Sequence, residues 1–159
     1  MDRKRMLVEG MVAGFLAYLV VAGFFVLVNL GMGRSPFHTA FLLGEAIGAQ
    51  GPGVNGTVGV ILAANALHLI ISMTVALAAA WLVMELEHHH AMWYGVMMVF
   101  LGGFFLSVVV MGMLTAQIAP VVSWPQVAAA NFMGAFVIGR YLWRSHLPLI
   151  QSLKEEFGS

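Results

Sequence analysis

Four long apolar runs constrain the fold of this sequence more than any other feature. They cover about 6–30, 58–84, 91–114 and 126–143 of the 159 residues. A helix that crosses the hydrocarbon core of a bilayer needs about 20 mainly apolar residues, and each run is long enough or nearly so. The pattern predicts an all-α membrane protein, a single transmembrane domain of four transmembrane helices.

The composition indicates a membrane environment and excludes several classes of function. The chain is 61% hydrophobic and only 9% charged, whereas soluble domains carry about 25% charged residues. Its formal net charge is zero, so we expect no nucleic-acid partner. Because the sequence has no cysteine, thiolate catalysis and iron–sulfur ligation are also excluded.

The distribution of basic residues predicts the orientation of the chain. The run 6–30 is too long for the core of a secretory signal and no convincing cleavage site follows it, so we expect it to be retained as the first helix. The positive-inside bias then places both termini in the cytoplasm. Six of the seven basic residues are expected on one side of the membrane, three before the first run and three at or after the end of the last, and only Arg34 falls elsewhere: Arg3, Lys4, Arg5, Arg140, Arg144 and Lys154.

Two further segments have helical patterns outside the long runs. Residues about 35–48 predict a short interfacial helix, with Ser35 as its N-cap and Pro36 in its first turn. The C-terminal tail 144–159 carries apolar residues along one side of a polar segment, which predicts an amphipathic helix on the inner leaflet.

A weak internal repeat raises the possibility of a duplication. The segment Ala63–Asn65 opens the second run much as Ala129–Asn131 opens the fourth. Two helical hairpins in parallel orientation would explain the match. Chance similarity in an alanine-rich membrane protein explains it equally well, and both interpretations stay open.

Polar residues inside the runs are the candidate binding residues. His68 lies about 15 Å along the second helix, with Asn65 and Ser72 on the same face. One hypothesis makes His68, Asn65 and Asn131 contacts for a haem or quinone. The other makes His68 a neutral side chain that bonds Asn131 or a backbone carbonyl and holds two helices together. We expect no intrinsic cofactor, since a bis-histidine haem needs a second intramembrane histidine.

No arrangement in the sequence indicates catalysis or metal binding. His88, His89 and His90 are consecutive, so their side chains diverge and cannot easily share one ion. Adjacent methionine pairs in the third run lack the spacing of a copper path. All seven carboxylates lie at helix ends, in loops or in tails, which argues against ion-coupled transport by this chain alone. We therefore predict that the chain is not an enzyme.

Small residues in the runs indicate close helix packing. A glycine or alanine four residues from another glycine lets helix backbones approach each other. Six glycines are the candidate packing residues: Gly10, Gly14, Gly102, Gly103, Gly134 and Gly139.

Together, Gly10 and Gly14 in the first run, His68 in the second and the Trp93–Gly95 opening of the third resemble an uncharacterised group of small four-helix bacterial membrane proteins. The resemblance covers most of the chain and implies four spans in a bacterial inner membrane. Members of that group often carry a histidine in the fourth span, where this chain has Asn131. The resemblance implies no activity.

Two functions remain compatible with the sequence. The first is a non-catalytic accessory subunit of a larger membrane complex, most simply a respiratory or electron-transfer assembly. Its partners would be other integral membrane subunits and lipids, and any haem or quinone it contacts would be held by a partner chain. The second is a small transporter, channel or haem- or quinone-contacting protein centred on His68.

Overall fold

A computed structural model describes residues 3–49, 56–88 and 123–145 of the chain. The described residues form four helices and no strand. The helices are α1 (Arg3–Gly31), α2 (His38–Ala46), α3 (Gly56–His88) and α4 (Trp124–Ser145).

Two of the described helices are long and apolar enough to cross a membrane: α1, and the Gly56–Glu85 part of α3. At a rise of 1.5 Å per residue, the 29 residues of α1 reach about 43 Å, more than the roughly 30 Å hydrocarbon core. Helix α4 coincides with the fourth predicted run, but the polar residues Gln126, Asn131 and Arg140 lower its hydropathy. The third predicted run, 91–114, lies outside the described residues, as does the tail beyond 145.

Helix α1 is central, since it packs against both α3 and α4, which contact each other far less. Both neighbours run antiparallel to α1. Arg5 Nη2 donates a hydrogen bond to the carbonyl of Ser145 over 3.0 Å, and Gln126 Nε2 lies 3.9 Å from Met32 Sδ. We call these two ends of the bundle the Arg5 end and the Met32 end.

The parallel direction of α3 and α4 is the one that two parallel hairpins require. The partner of α4 in the second hairpin would be the run 91–114, outside the described residues. The duplication therefore stays a prediction.

The core of the described bundle consists mostly of alanine. Its members are Ala13 and Ala17 of α1, Ala76, Ala79 and Ala80 of α3, and Ile138 and Leu142 of α4. Such small side chains let helix axes approach closely, so van der Waals packing between backbones replaces the interlocking of large side chains. Most large apolar side chains therefore lie at the surface of the described bundle.

Two glycines of α1 lie directly against α3. A Cβ atom added at Gly10 would stand 2.9 Å from the Cα of Leu77, and one added at Gly14 would stand 2.7 Å from the Cα of Met73. Both distances are shorter than an ordinary contact between carbon atoms. Neither position can therefore hold a larger residue without moving a helix.

A buried polar contact holds α2 against the end of α1. The Asn29 side chain is only 2% exposed. Its Nδ2 donates to the carbonyl of Pro36 over 3.1 Å, and its Oδ1 accepts a bond from Thr39 Oγ1 over 3.1 Å. Gly44 then lies so close to the carbonyl of Val60 that a Cβ would collide with it. Helix α2 is thus packed on the bundle.

The predicted cap of α2 is wrong in its position. The helix begins at His38 and its N-cap is Phe37, which makes no side-chain capping bond. Ser35 instead accepts a bond from the His38 amide over 3.0 Å, closing a turn around Pro36. Just before it, Gly33 has φ +69°, and the Arg34 amide bonds the carbonyl of Asn29. This left-handed helix end leads directly into the Ser35 turn and delays the start of α2.

Candidate functional site

Mid-helix polar side chains of α1 and α3 meet in one small cluster. Tyr18 of α1 donates a hydrogen bond from its hydroxyl to Asn65 Oδ1 over 3.2 Å. Asn65 Nδ2 in turn donates to the carbonyl of Ile61, one turn earlier in α3, over 2.8 Å. Both ends of the Asn65 amide are therefore occupied. We call Tyr18, Asn65 and His68 the polar cluster.

His68 joins the cluster through its ring. The imidazole stands edge-on to the Tyr18 ring, with 5.4 Å between centroids and 61° between planes. Within the described residues, no hydrogen bond reaches its ring nitrogens. His68 therefore packs against α1 and keeps its polar atoms available.

Tyr18 was not predicted as a site residue, although its position in the sequence indicates one. It lies 15 residues after Arg3, the first residue of α1, and so near the middle of the helix, away from the interfacial positions that tyrosine prefers. A tyrosine at that depth needs a partner for its hydroxyl, and Asn65 is the one it finds.

Asn131 lies apart from the polar cluster. Gly134 of α4 contacts Val21 of α1, with 3.3 Å between an added Cβ and Val21 Cγ2. Because α4 is antiparallel to α1, Asn131 is one turn nearer the Met32 end than Val21, whereas Tyr18 is one turn nearer the Arg5 end. The separation along the axis is about 9 Å. Of the two partners suggested for His68, Asn131 and a backbone carbonyl, Asn131 is therefore too distant.

The amide of Asn131 is the one polar side-chain group among the described residues that is buried without a partner. Its Nδ2 is enclosed and donates no hydrogen bond. An unsatisfied buried donor costs roughly 1–3 kcal/mol. A hydrogen-bond acceptor from outside the described residues would therefore be stabilising beside Asn131 Nδ2.

Of the remaining packing glycines, the structure describes only Gly139, where an added Cβ would meet nothing within 4 Å. Gly102 and Gly103 lie outside the described residues. Gly139 therefore makes no close contact with another of the described helices, and its predicted packing role stays a prediction. It opens a surface groove of about 280 Å³, lined by Phe136, Gly139, Arg140 and Trp143.

Charged groups in the described helices lie near their ends. Arg5 Nε is 2.8 Å from Glu9 Oε1, one turn along α1, and the Glu9 side chain is largely buried. No group of three potential metal ligands occurs among the described residues. His89 and His90 fall outside them.

Comparison with known proteins gives no assignment: no family model, curated protein or solved structure matches this chain. The resemblance to small four-helix bacterial membrane proteins stays a prediction.

Proposed function

We propose that this chain is a non-catalytic accessory subunit of a larger complex in a bacterial inner membrane, spanning the bilayer four times with both termini in the cytoplasm. The clustering of basic residues supports the orientation. Arg3, Lys4, Arg5, Arg140 and Arg144 belong to the Arg5 end, and Arg34 follows α1 at the opposite end.

One observation carries the subunit proposal: the described bundle buries mostly small side chains and turns most of its large apolar ones outward. The largest side chain that is fully buried among the described residues is Asn29. Around the Arg5 half of α1, an outward stripe of seven large apolar residues is 38–60% exposed: Leu7, Val8, Met11, Val12, Phe15, Leu16 and Leu19. Such a stripe offers a continuous surface to a neighbouring transmembrane helix.

The polar cluster supports a structural role for the chain. Tyr18 and Asn65 bond each other across the α1–α3 contact, as interhelical polar pairs do when they stabilise membrane bundles. A chain built in this way has a structural role in the complex, and its partner subunits carry out the catalysis. Respiratory and other electron-transfer complexes are the class we propose, because their catalytic chains bring their own haem and quinone sites.

The test is recovery of the intact assembly. The full chain, tagged at its C-terminus, is extracted from native membranes with a mild detergent, separated by native electrophoresis and analysed by mass spectrometry. We expect stoichiometric co-purification with integral membrane subunits that carry haem or quinone. Recovery as a colourless monomer or homo-oligomer would refute the proposal.

A photo-crosslinking residue locates the partner surface. Placed at Phe15, 46% exposed in the outward stripe of α1, it should form crosslinks to a partner subunit. Placed at Phe132, 66% exposed on α4, it serves as the control on another helix. Equal crosslinking to the same partner from both positions would exclude the stripe as the specific surface.

A second candidate function is favoured by the unpaired donor of Asn131 and the unbonded ring nitrogens of His68. A small transporter, channel or haem- or quinone-contacting protein would use such groups to hold a ligand inside the membrane. The purified chain would then show a visible absorption band or a bound quinone, lost in His68→Ala. A colourless, quinone-free chain with only lowered stability in His68→Ala would contradict this second function.

A further inference from the structure

The groove over Gly139 is a surface feature of α4 that the packing of the described helices leaves open. Phe136 and Trp143 form its apolar ends and are 60% and 48% exposed. Gly139 forms its floor, and Arg140 forms part of its wall. Its volume of about 280 Å³ is at the lower limit of pockets for drug-sized ligands, which begin near 300 Å³. It suits a slender apolar chain.

The basic residues beside the groove have no counter-charge among the described residues. Arg140 lies in the wall, and Arg144 follows one helical turn later on the same face. Both residues are exposed. Neither guanidinium forms a hydrogen bond or ion pair with the described residues, in contrast to Arg5, which binds Glu9. Two positive charges therefore border an apolar groove.

In the membrane orientation proposed above, the groove lies at the boundary between lipid tails and headgroups. Its lining residues lie within about two and a half turns of Ser145, at the Arg5 end of the bundle. Tryptophan at position 143 is typical of this boundary, where its ring is apolar and its N–H reaches water. Long arginine side chains at such a depth extend toward the headgroups.

We propose that this groove binds an anionic phospholipid of the cytoplasmic leaflet. One acyl chain lies over Gly139 between Phe136 and Trp143, and the phosphate contacts Arg140 and Arg144. Charge complementarity favours an anionic headgroup, because a zwitterionic lipid carries an ammonium beside its phosphate and so has no net negative charge to offset the two guanidiniums. The cytoplasmic leaflet of bacterial and other membranes supplies such lipids. The site rests on the proposed orientation of the chain in the membrane, but it does not depend on any partner subunit.

The alternative is that these residues only anchor α4 at the interface. Arginine and tryptophan at helix ends do this without regard to lipid class. An anchor requires no groove, so filling the space above Gly139 would leave lipid binding unchanged. Lipid selectivity and the effect of filling the groove therefore distinguish the two roles.

The experiment uses the full chain in nanodiscs that contain phosphatidylcholine with a minor fraction of phosphatidylglycerol, released into native mass spectrometry. We expect retention of one phosphatidylglycerol in preference to phosphatidylcholine. The double substitution Arg140→Gln and Arg144→Gln should weaken that retention roughly 30-fold, as expected for two basic residues at a membrane surface. Its control is Arg3→Gln with Lys4→Gln, which removes the same charge at the same end of the bundle.

A second pair of variants tests the groove itself. Gly139→Leu should reduce retention because the side chain occupies the acyl position. Gly23→Leu, at another exposed helical glycine with nothing within 4 Å of an added Cβ, should not. Equal losses from the two charge variants, equal results from the two glycine variants, or no preference for phosphatidylglycerol in the unaltered chain would each overturn the proposal. The glycine pair remains informative if the arginine variant fails to fold.

Discussion

Replacing Gly14 with alanine should separate α1 from α3. The new Cβ would stand 2.7 Å from the Cα of Met73 and 2.9 Å from the carbonyl oxygen of Ser72. Both neighbours are backbone atoms, which cannot rotate away as a side chain can. Since carbon atoms in contact lie about 3.5–4.0 Å apart, the two helices must move apart by about 1 Å.

The cost of this separation can be estimated against a control in the same helix. Gly23→Ala also replaces a mid-helix glycine of α1, but its Cβ would meet nothing within 4 Å. The helix propensity gained from glycine to alanine, about 1 kcal/mol, is common to the two variants and cancels. Overpacking costs about 1–3 kcal/mol. We therefore expect Gly14→Ala to be less stable than Gly23→Ala by that amount, a factor of roughly 5 to 150 in the folding equilibrium.

Reversible unfolding in mixed micelles measures this difference. The protein is titrated with sodium dodecyl sulfate in a mild detergent, and the free energy of unfolding is followed by tryptophan fluorescence. The midpoint for Gly14→Ala should fall well below that for Gly23→Ala. If the two variants unfold at the same detergent composition, α1 and α3 do not approach each other closely at Gly14.

Two further substitutions test the polar contacts. Asn29→Ala leaves the Thr39 hydroxyl without its buried acceptor and should lower the free energy of unfolding by about 1–3 kcal/mol. Helix α2 should then be cleaved faster in limited proteolysis than in Thr39→Val, which removes only one of the two Asn29 bonds. Equal cleavage of the two variants would refute the central role of Asn29. Tyr18→Phe keeps the ring against His68 but removes the bond to Asn65, and should lower the free energy of unfolding by about 0.6–1.7 kcal/mol. No loss in the detergent titration would show that this bond is not stabilising.

The ends of the helices could be predicted closely from the apolar runs. The predicted 6–30 and 58–84 compare with Arg3–Gly31 and Gly56–His88, and 126–143 compares with Trp124–Ser145. Long runs define helices well because every backbone group in an apolar medium must be bonded within the helix. A helix therefore continues through the whole run and slightly into its polar flanks.

Local sequence was less informative where a neighbouring element decides the geometry. Ser35 and Pro36 have the residue types of a helix start, yet the chain is still completing the turn that ends α1. The carbonyl of Pro36 bonds Asn29, and this contact holds the segment in the turn. The first residue at which a helix can begin is then His38, within the predicted 35–48. The start of α2 thus depends on Asn29, seven residues before Pro36. The residue types around Ser35 do not indicate this contact.

The two Ala-Ala-Asn segments show why a repeat in sequence does not define a site. Asn65 and Asn131 follow identical pairs of alanines, and both helices run antiparallel to α1. Asn65 meets the Tyr18 hydroxyl and has both ends of its amide bonded, whereas the Nδ2 of Asn131 is enclosed without an acceptor. The two asparagines differ because of their neighbours in α1. Tyr18 faces Asn65 of α3, whereas the apolar Val21 faces Gly134, one turn after Asn131 in α4. A duplication would thus have left two equivalent asparagines, of which one now stabilises the α1–α3 contact and the other offers a buried donor to whatever packs beside it.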